Sequence, residues 1–376
     1  MDGEEISEAA RSAPDLDYGD MVRNIVTGVR RSSGTFLADG RRLREQLLEA
    51  GTIRKVPRVP TAVRTMCAVD GGRITKQLYS GDLLVAYATS AEAESAEQEG
   101  VGVSRQWSGA VPHSKDADKV CGIAMMSLEQ AVLHAVDHDV RLIDGSFYSP
   151  VIEVNRTLSM VAPEARRLAQ QIITDYSFVE NLAQVFSPTG QSRFIALPKS
   201  DSSRDYGNMI SREYEVEISV TDKILAAHLL EPGEMLSPRT LEMWRSPNLF
   251  AEVAGWAYGS RLAKQVAEAV EPARTAALND RLVSSYVKPH DSPTVVKAEY
   301  FRNDSTPEDT DDRVANIVLM ECAYTHAQEP AAQYKADVQA KGVATIERQL
   351  RELVIAELTR TGDAELAALF STQYRT

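Results

Sequence analysis

The sequence predicts an α/β fold: a mixed sheet flanked by helices, with a helical N-terminal arm and a largely helical insertion. Three observations carry this expectation. Two apolar, strand-like runs, TMCAVDGG at 65–72 and VRLIDGS at 140–146, each drive into an Asp-Gly pair. Strand-like and helix-like patterns alternate between and beyond them, as in a sheet covered by helices. A chain of 376 residues is also long enough to bury a large core.

The elements follow in order. Helical periodicity over 18–50, from Met21, Ile25, Val26 and Val29 to Leu43, Leu47 and Leu48, predicts an arm over 1–59. RKVPRVP at 54–60 stops the helix, because proline lacks an N–H and biases the preceding residue to extended geometry. The run ending at Asp70, DLLVAYATS at 82–90 and a stretch near GVGVSRQWSG read as an antiparallel meander. Ser127 and Gln130 have capping-box spacing and predict a helix from there to about Asp137. VRLIDGS is the next strand, 163–186 one long helix, and RFIALPKS at 193–200 another strand. Residues 201–292 mix helical stretches such as RLAKQVAEAV with turn-rich connectors and read as an insertion or second lobe. TVVKAEYF (294–301) and ANIVLMECA (315–323) return as strands around an acidic loop at 303–312, and a charged helix covers 333–360. The main domain is thus expected over 60–200 and 293–376.

Charge and cysteine usage narrow the function classes. Net charge is −13, which opposes independent tight binding to nucleic acid. Its distribution is uneven: residues 22–64 hold ten Lys/Arg against Asp39, Glu45 and Glu49, a segment that either faces phosphate or is a solvated helix surface. Cys67, Cys121 and Cys322 show no CxxC pairing, so neither a disulfide framework nor a zinc site is expected, and the thiols read as reduced and mostly buried. The acidic N-terminus MDGEEISEAARS lacks a signal-like apolar core and no long uncharged apolar window occurs, so a cytoplasmic protein with no membrane contact is expected. Neither G-x-x-x-x-G-K-[ST] nor G-x-G-x-x-G occurs, which argues against ATP hydrolysis by this chain.

A single Asp-Gly after an apolar run is an ordinary hairpin signal. Two of them at the ends of buried strands place Asp70 and Asp144 at the mouth of a sheet. Glu129 is the third acid: Val132, Leu133 and Val136 follow it at i+3, i+4 and i+7, which sets its carboxylate on or beside an apolar helix face. Burying an unpaired carboxylate costs several kcal/mol, so a helix N-terminus or a shared cation must face it. Carboxylates alone suit hard divalent cations such as Mg²⁺ or Mn²⁺. The best-known use of such a cluster is phosphodiester hydrolysis with two metal ions.

With these residues laid out, the sequence resembles the NurA nuclease family, whose fold is RNase H-like. AVDGG at 68–72, SLEQAVLHAVDHDVRLIDGSF at 127–147 and IALPKSDSSRDY at 195–206 carry the likeness, which spans about 60–345 with an interruption near 201–292. The resemblance implies that Asp70, Glu129 and Asp144 bind metal, two Mn²⁺ or Mg²⁺ ions in all. It implies a homodimer that cuts DNA, as exonuclease and single-strand endonuclease in end resection, and that works with the hexameric ATPase HerA. Lys199 would approach the scissile phosphate as a point charge, with Arg204 and Tyr206 in the same loop. One departure stands out. The family's "YP" and following His align with QEPAAQYKADVQA, placing Glu329 before Pro330 and Asp337 at the His position. Asp337 would then hold metal through oxygen, or His326 would complete the site. The alternative function is a catalytically weak or inactive subunit that clamps DNA for a HerA-type ring.

Overall fold

The computed structural model describes residues 40–58, 63–97, 100–187, 193–250, 255–291, 294–303, 305–323 and 329–372. A mixed sheet of ten strands forms its spine. The strands are β1 (Ile53–Lys55), β2 (Met66–Leu78), β3 (Gly81–Glu92), β4 (Ser104–Val111), β5 (Val140–Ile143), β6 (Phe194–Ala196), β7 (Glu234–Leu236), β8 (Arg239–Thr240), β9 (Leu282–Lys288) and β10 (Val296–Phe301). Their order is β1-β7-β9-β10-β6-β5-β2-β3-β4, with β8 also pairing β9. β2, β3 and β4 form the expected antiparallel meander, whereas β2, β5 and β6 run parallel. The α/β class and mixed sheet are as the sequence predicts.

Side-chain alternation along β2 divides the core. Cys67 and Val69 face one layer, built on α2 (Ala117–Ala135), α3 (Ser149–Leu158), α4 (Pro163–Asp175), α5 (Phe178–Phe186) and α8 (Ala257–Leu278); α1 is the helical segment described over 40–49. Met66 and Ala68 face the other, built on α9 (Pro307–Cys322) and α10 (Ala331–Ala340). A strand buried on both faces must read as a continuous apolar run, which is why both Asp-Gly junctures do. The 201–292 region is largely helical, with α6 (Asp205–Tyr214) and α7 (Asp222–Leu229), and it lends β7, β8 and β9 to the same sheet. The chain closes with α11 (Val343–Arg360) and α12 (Ala364–Ser371).

Several local expectations fail for identifiable reasons. Strand β2 does not stop at Asp70; its ladder with β3 continues to Leu78. Helix α2 begins at Ala117, so Ser127 lies mid-helix and buried and caps nothing. The predicted helix 163–186 is two helices, broken where Ser177 takes a left-handed φ of 48°. ANIVLMECA is helical and not a strand: within α9, Asp311, Val314, Ala315, Val318, Glu321 and Cys322 are buried at helical spacing. The charged C-terminal helix is likewise divided between α10 and α11. All three cysteines are free and buried. Residues 1–39, which carry most of the predicted arm, lie outside the described residues. Among the described residues no helix is long and apolar enough to cross a membrane.

Candidate active site

Register places the site. Val69 pairs with Ile143 across β2 and β5, and the Asp144 N–H donates to the Val69 carbonyl at 3.1 Å. Asp70 and Asp144 are therefore neighbours on adjacent strands, both on the α10 side of the sheet. Ile143 in turn pairs with Ala196, and the Leu197 N–H donates to the Ile143 carbonyl, which carries the chain on to Lys199. All three groups gather at the carboxyl ends of parallel strands, where open α/β sheets bind ligands.

Two helices complete the cluster from opposite faces. From α10, Gln333 and Asp337 project together, four residues apart on one helix face. The Gln333 Nε2 donates to Asp144 Oδ1 at 2.7 Å and to the Leu197 carbonyl at 2.8 Å. Glu129 comes from α2 through a gap left by Gly71: a Cβ on Gly71 would lie 2.3 Å from Glu129 Oε1. A Cβ on Gly72 would lie 2.3 Å from the Ala340 carbonyl, where α10 ends against the strand. The Asp-Gly-Gly sequence is thus no turn. It is a strand segment stripped of side chains on both faces so that two helices can approach its aspartate.

The electrostatics are lopsided. Asp70, Asp144 and Asp337 offer oxygens all within 4.8 Å of one another. Lys199 Nζ lies 2.8 Å from Asp144, 3.1 Å from Glu329 and 3.1 Å from Asp337. Burial and then the charge of Asp144 push the Asp70 carboxyl up to about 8, despite Lys199 and the Gly71 N–H, which donates to it at 2.7 Å. Burial, reinforced by Asp70, Asp144 and Glu153, raises Glu129 well above the carboxylate range, and Arg73 only partly opposes it. Burial works against the charge of Lys199, but Asp144, Glu329 and Asp337 overcome it and raise its pKa. Lys341 and Lys199 outweigh burial at Asp337 and hold its carboxyl low.

The structure brings Asp70, Glu129, Asp144, Lys199 and Asp337 into one place. It also brings in Glu329 and Gln333, to which sequence reasoning gave no role in the site. An i, i+4, i+8 row of polar groups at 329, 333 and 337 was the available signal. The macrodipole explanation for Glu129 falls away, because its residue is deep inside α2. Tyr206 is displaced from the site: it is fully buried, its hydroxyl donating to the carbonyls of Ser237 and Ser284. Arg204 precedes α6 and is exposed. His326 lies outside the described residues. Of the basic segment, Arg44 is bound to Glu234 and Arg54 pairs with Asp312, so these two are structural cations and not free for phosphate.

No protein-family profile and no curated protein matches the sequence. Solved structures do. The crystal structure of the NurA nuclease from Sulfolobus solfataricus superposes with a TM-score of 0.56 at 12% identity, over 92% of this chain and 96% of that one. The chain has a NurA-like fold. A crystal structure of NurA with manganese gives a TM-score of 0.51 at 11% identity, over 88% and 98% of the two chains, and another NurA structure gives 0.51 at 9%. Such a match at so little identity shows a shared α/β, RNase H-like fold. In this NurA-like sheet the carboxylates lie at the end that the parallel strands define.

Proposed function

We propose that the protein is a divalent-metal-dependent DNA nuclease of the NurA type. The observation that carries this reading is the convergence of Asp70, Asp144 and Asp337 within 4.8 Å, at the carboxyl end of parallel strands, with Glu129 behind them and Lys199 beside them. An all-oxygen donor set in carboxylate surplus fits Mn²⁺ or Mg²⁺. Asp70, Asp144 and Asp337 would hold the metal, with Glu129 as a fourth ligand if two ions bind. When bound, such ions lower the pKa of the attacking water and offset charge on the leaving oxygen. Gln333 fixes the orientation of Asp144 through its 2.7 Å bond. Lys199, released from part of its carboxylate ring, turns its charge to a nonbridging phosphate oxygen. Glu329 would stay as its partner, at 3.1 Å in the present arrangement.

The test is cleavage of labelled linear duplex and single-stranded DNA with Mn²⁺ or Mg²⁺. Activity of Asp70→Ala or Asp144→Ala equal to that of the parent would remove the assignment. Exonuclease and single-strand endonuclease action in end resection, a homodimer and cooperation with a HerA-like hexameric ATPase complete the reading and rest on the family resemblance. Mixing the purified protein with such an ATPase and sizing the complex checks the partnership.

One observation favours a second reading, a non-catalytic DNA clamp on a ring ATPase. Lys199 already neutralises three carboxylates, and Asp337 stands where the family carries His. DNA binding without cleavage in any divalent ion would decide for the clamp.

A further inference from the structure

A cavity of about 220 Å³ opens beside the carboxylates, with Lys199 in its lining. At roughly 30 Å³ per water it has room for about seven waters, enough for a phosphate group with part of its sugar. Pro198, Val296 and Gln333 form walls; Lys199, Lys223 and Lys297 bring three amines to it, against the single carboxylate of Glu329, which Lys199 already pairs.

The amines are not equivalent. Lys199 is held by Asp144, Glu329 and Asp337. Lys297 is held by Asp201 at 3.0 Å and Glu299 at 3.4 Å. Lys223 donates to a main-chain carbonyl, that of Lys199, at 2.6 Å. Its ammonium forms no ion pair among the described residues. Lys223 also occupies the first turn of α7, where the positive end of the helix dipole opposes a cation. Burial, and Lys297 nearby, lower its pKa despite Asp201 and Glu329. A half-buried cation at a helix start, with no carboxylate in direct contact among the described residues, costs stability. An anion in the cavity would repay it.

We propose that this cavity binds a phosphate of the DNA strand adjacent to the bond that is cut, with Lys223 as its main contact. The inference rests on the proposed nuclease reading for the identity of the strand. The chemistry it requires is a phosphate mono- or diester. Lys199 links the two places: its ammonium lies among the carboxylates while its carbonyl holds Lys223.

The test measures equilibrium binding of a fluorescent single-stranded oligonucleotide to the full chain at several salt concentrations, with Ca²⁺ in place of Mn²⁺ and again in EDTA. Each phosphate contact on a single strand contributes about 0.7 to the slope of log K against log[salt]. Lys223→Gln keeps a hydrogen-bond donor on the side chain, and its urea denaturation curve, matched to the parent's, checks that the fold is retained. Its salt slope should fall by about 0.7 with several-fold weaker binding at low salt, and Lys223→Arg should restore both. An unchanged slope and affinity in Lys223→Gln overturns the pocket. A 5′-phosphorylated and a 5′-hydroxyl oligonucleotide separate the sources: dependence on Lys223 with both supports an internal diester, and with the former alone a terminal monoester. Lys223-dependent binding by a chain that cuts nothing leaves the pocket standing and removes the nuclease. Intact cleavage with an unchanged slope does the reverse.

Discussion

Two clusters of buried charge flank the Lys199–Asp201 segment, and they differ in how their charge closes. On one side Asp70, Asp144, Glu329 and Asp337 face Lys199, with Glu129 behind Asp70 from the opposite face and Lys341 reaching Asp337 from the rim. On the other, Asp201 and Glu299 share Lys297, and donors supply the remainder. The hydroxyls of Ser203 and Tyr286 bond Asp201, while Ser146 and the Phe147 N–H bond Glu299. Both carboxylates of the second cluster find their cation and donors within the fold. The first holds more carboxyl groups than its own cations keep ionised, as the raised Asp70 and Glu129 carboxyls show. A closed cluster is built for the fold, whereas a surplus destabilises the fold and is retained where a cation repays it.

Substitutions should therefore have opposite signatures in the two places. Asp144→Asn is expected to lower cleavage on the order of 10³-fold or more, since removing even an outer partner of a metal ligand costs 10–100-fold. Its metal-free stability in urea should fall by less than that of Lys297→Met, because losing the Lys199 ion pair is offset by removing the charge that, after burial, holds the Asp70 carboxyl up. A large loss of stability without loss of activity would invert the comparison. Lys297→Met should strike the fold first, costing about 3–5 kcal/mol in urea denaturation by leaving Asp201 and Glu299 buried without their cation. A smaller effect is expected of Gly71→Ala. Its Cβ would lie 2.3 Å from Glu129 Oε1 and 2.8 Å from Met125 Cγ, an overpacking that costs about 1–3 kcal/mol. Because it displaces Glu129, cleavage should drop roughly 10-fold or more, and Mn²⁺ titration of the residual activity should require more metal.

The surplus cluster was largely legible in the sequence, and the closed one was not. Asp70, Glu129 and Asp144 could be read because each interrupts an apolar run, and local apolarity reports burial. Glu329 and Gln333 carry no such mark: their relation to Asp144 depends on how α10 crosses β2, a tertiary fact. Lys297 and Glu299 sit in a strand whose residues are all buried, yet the sequence TVVKAEYF reads as an ordinary alternating strand with a solvent face. The strand reading of ANIVLMECA failed for a related reason. A short apolar run has too few residues to separate period 2 from 3.6, and the acidic stretch before it, which supplies the first turns of α9, reads as a loop. The break at Ser177 left no signal, since neither Gly nor Pro marks it.

Acid titration sharpens the contrast with the smallest effect. Burial opposes the charge of Asp201, but Lys297 and the hydroxyls of Tyr286 and Ser203 outweigh it and hold its carboxyl below the usual carboxylate range. A depressed folded pKa means that the unfolded chain takes up the proton first. The contribution of Asp201 is thus fully present above the unfolded value of about 3.9 and is lost as pH falls through the lower folded one. Glu299 carries the opposite sign, because burial raises its carboxyl in spite of Lys297 and its donors. The whole-cluster curve would mix the two. Comparing the parent with Asp201→Asn isolates one: the variant should be less stable near neutrality, and the gap between the two urea curves should narrow as pH drops below about 4. A gap that stays constant to pH 3 would mean that Asp201 keeps the same proton affinity folded and unfolded, and the cluster would then be no better compensated than the site beside it.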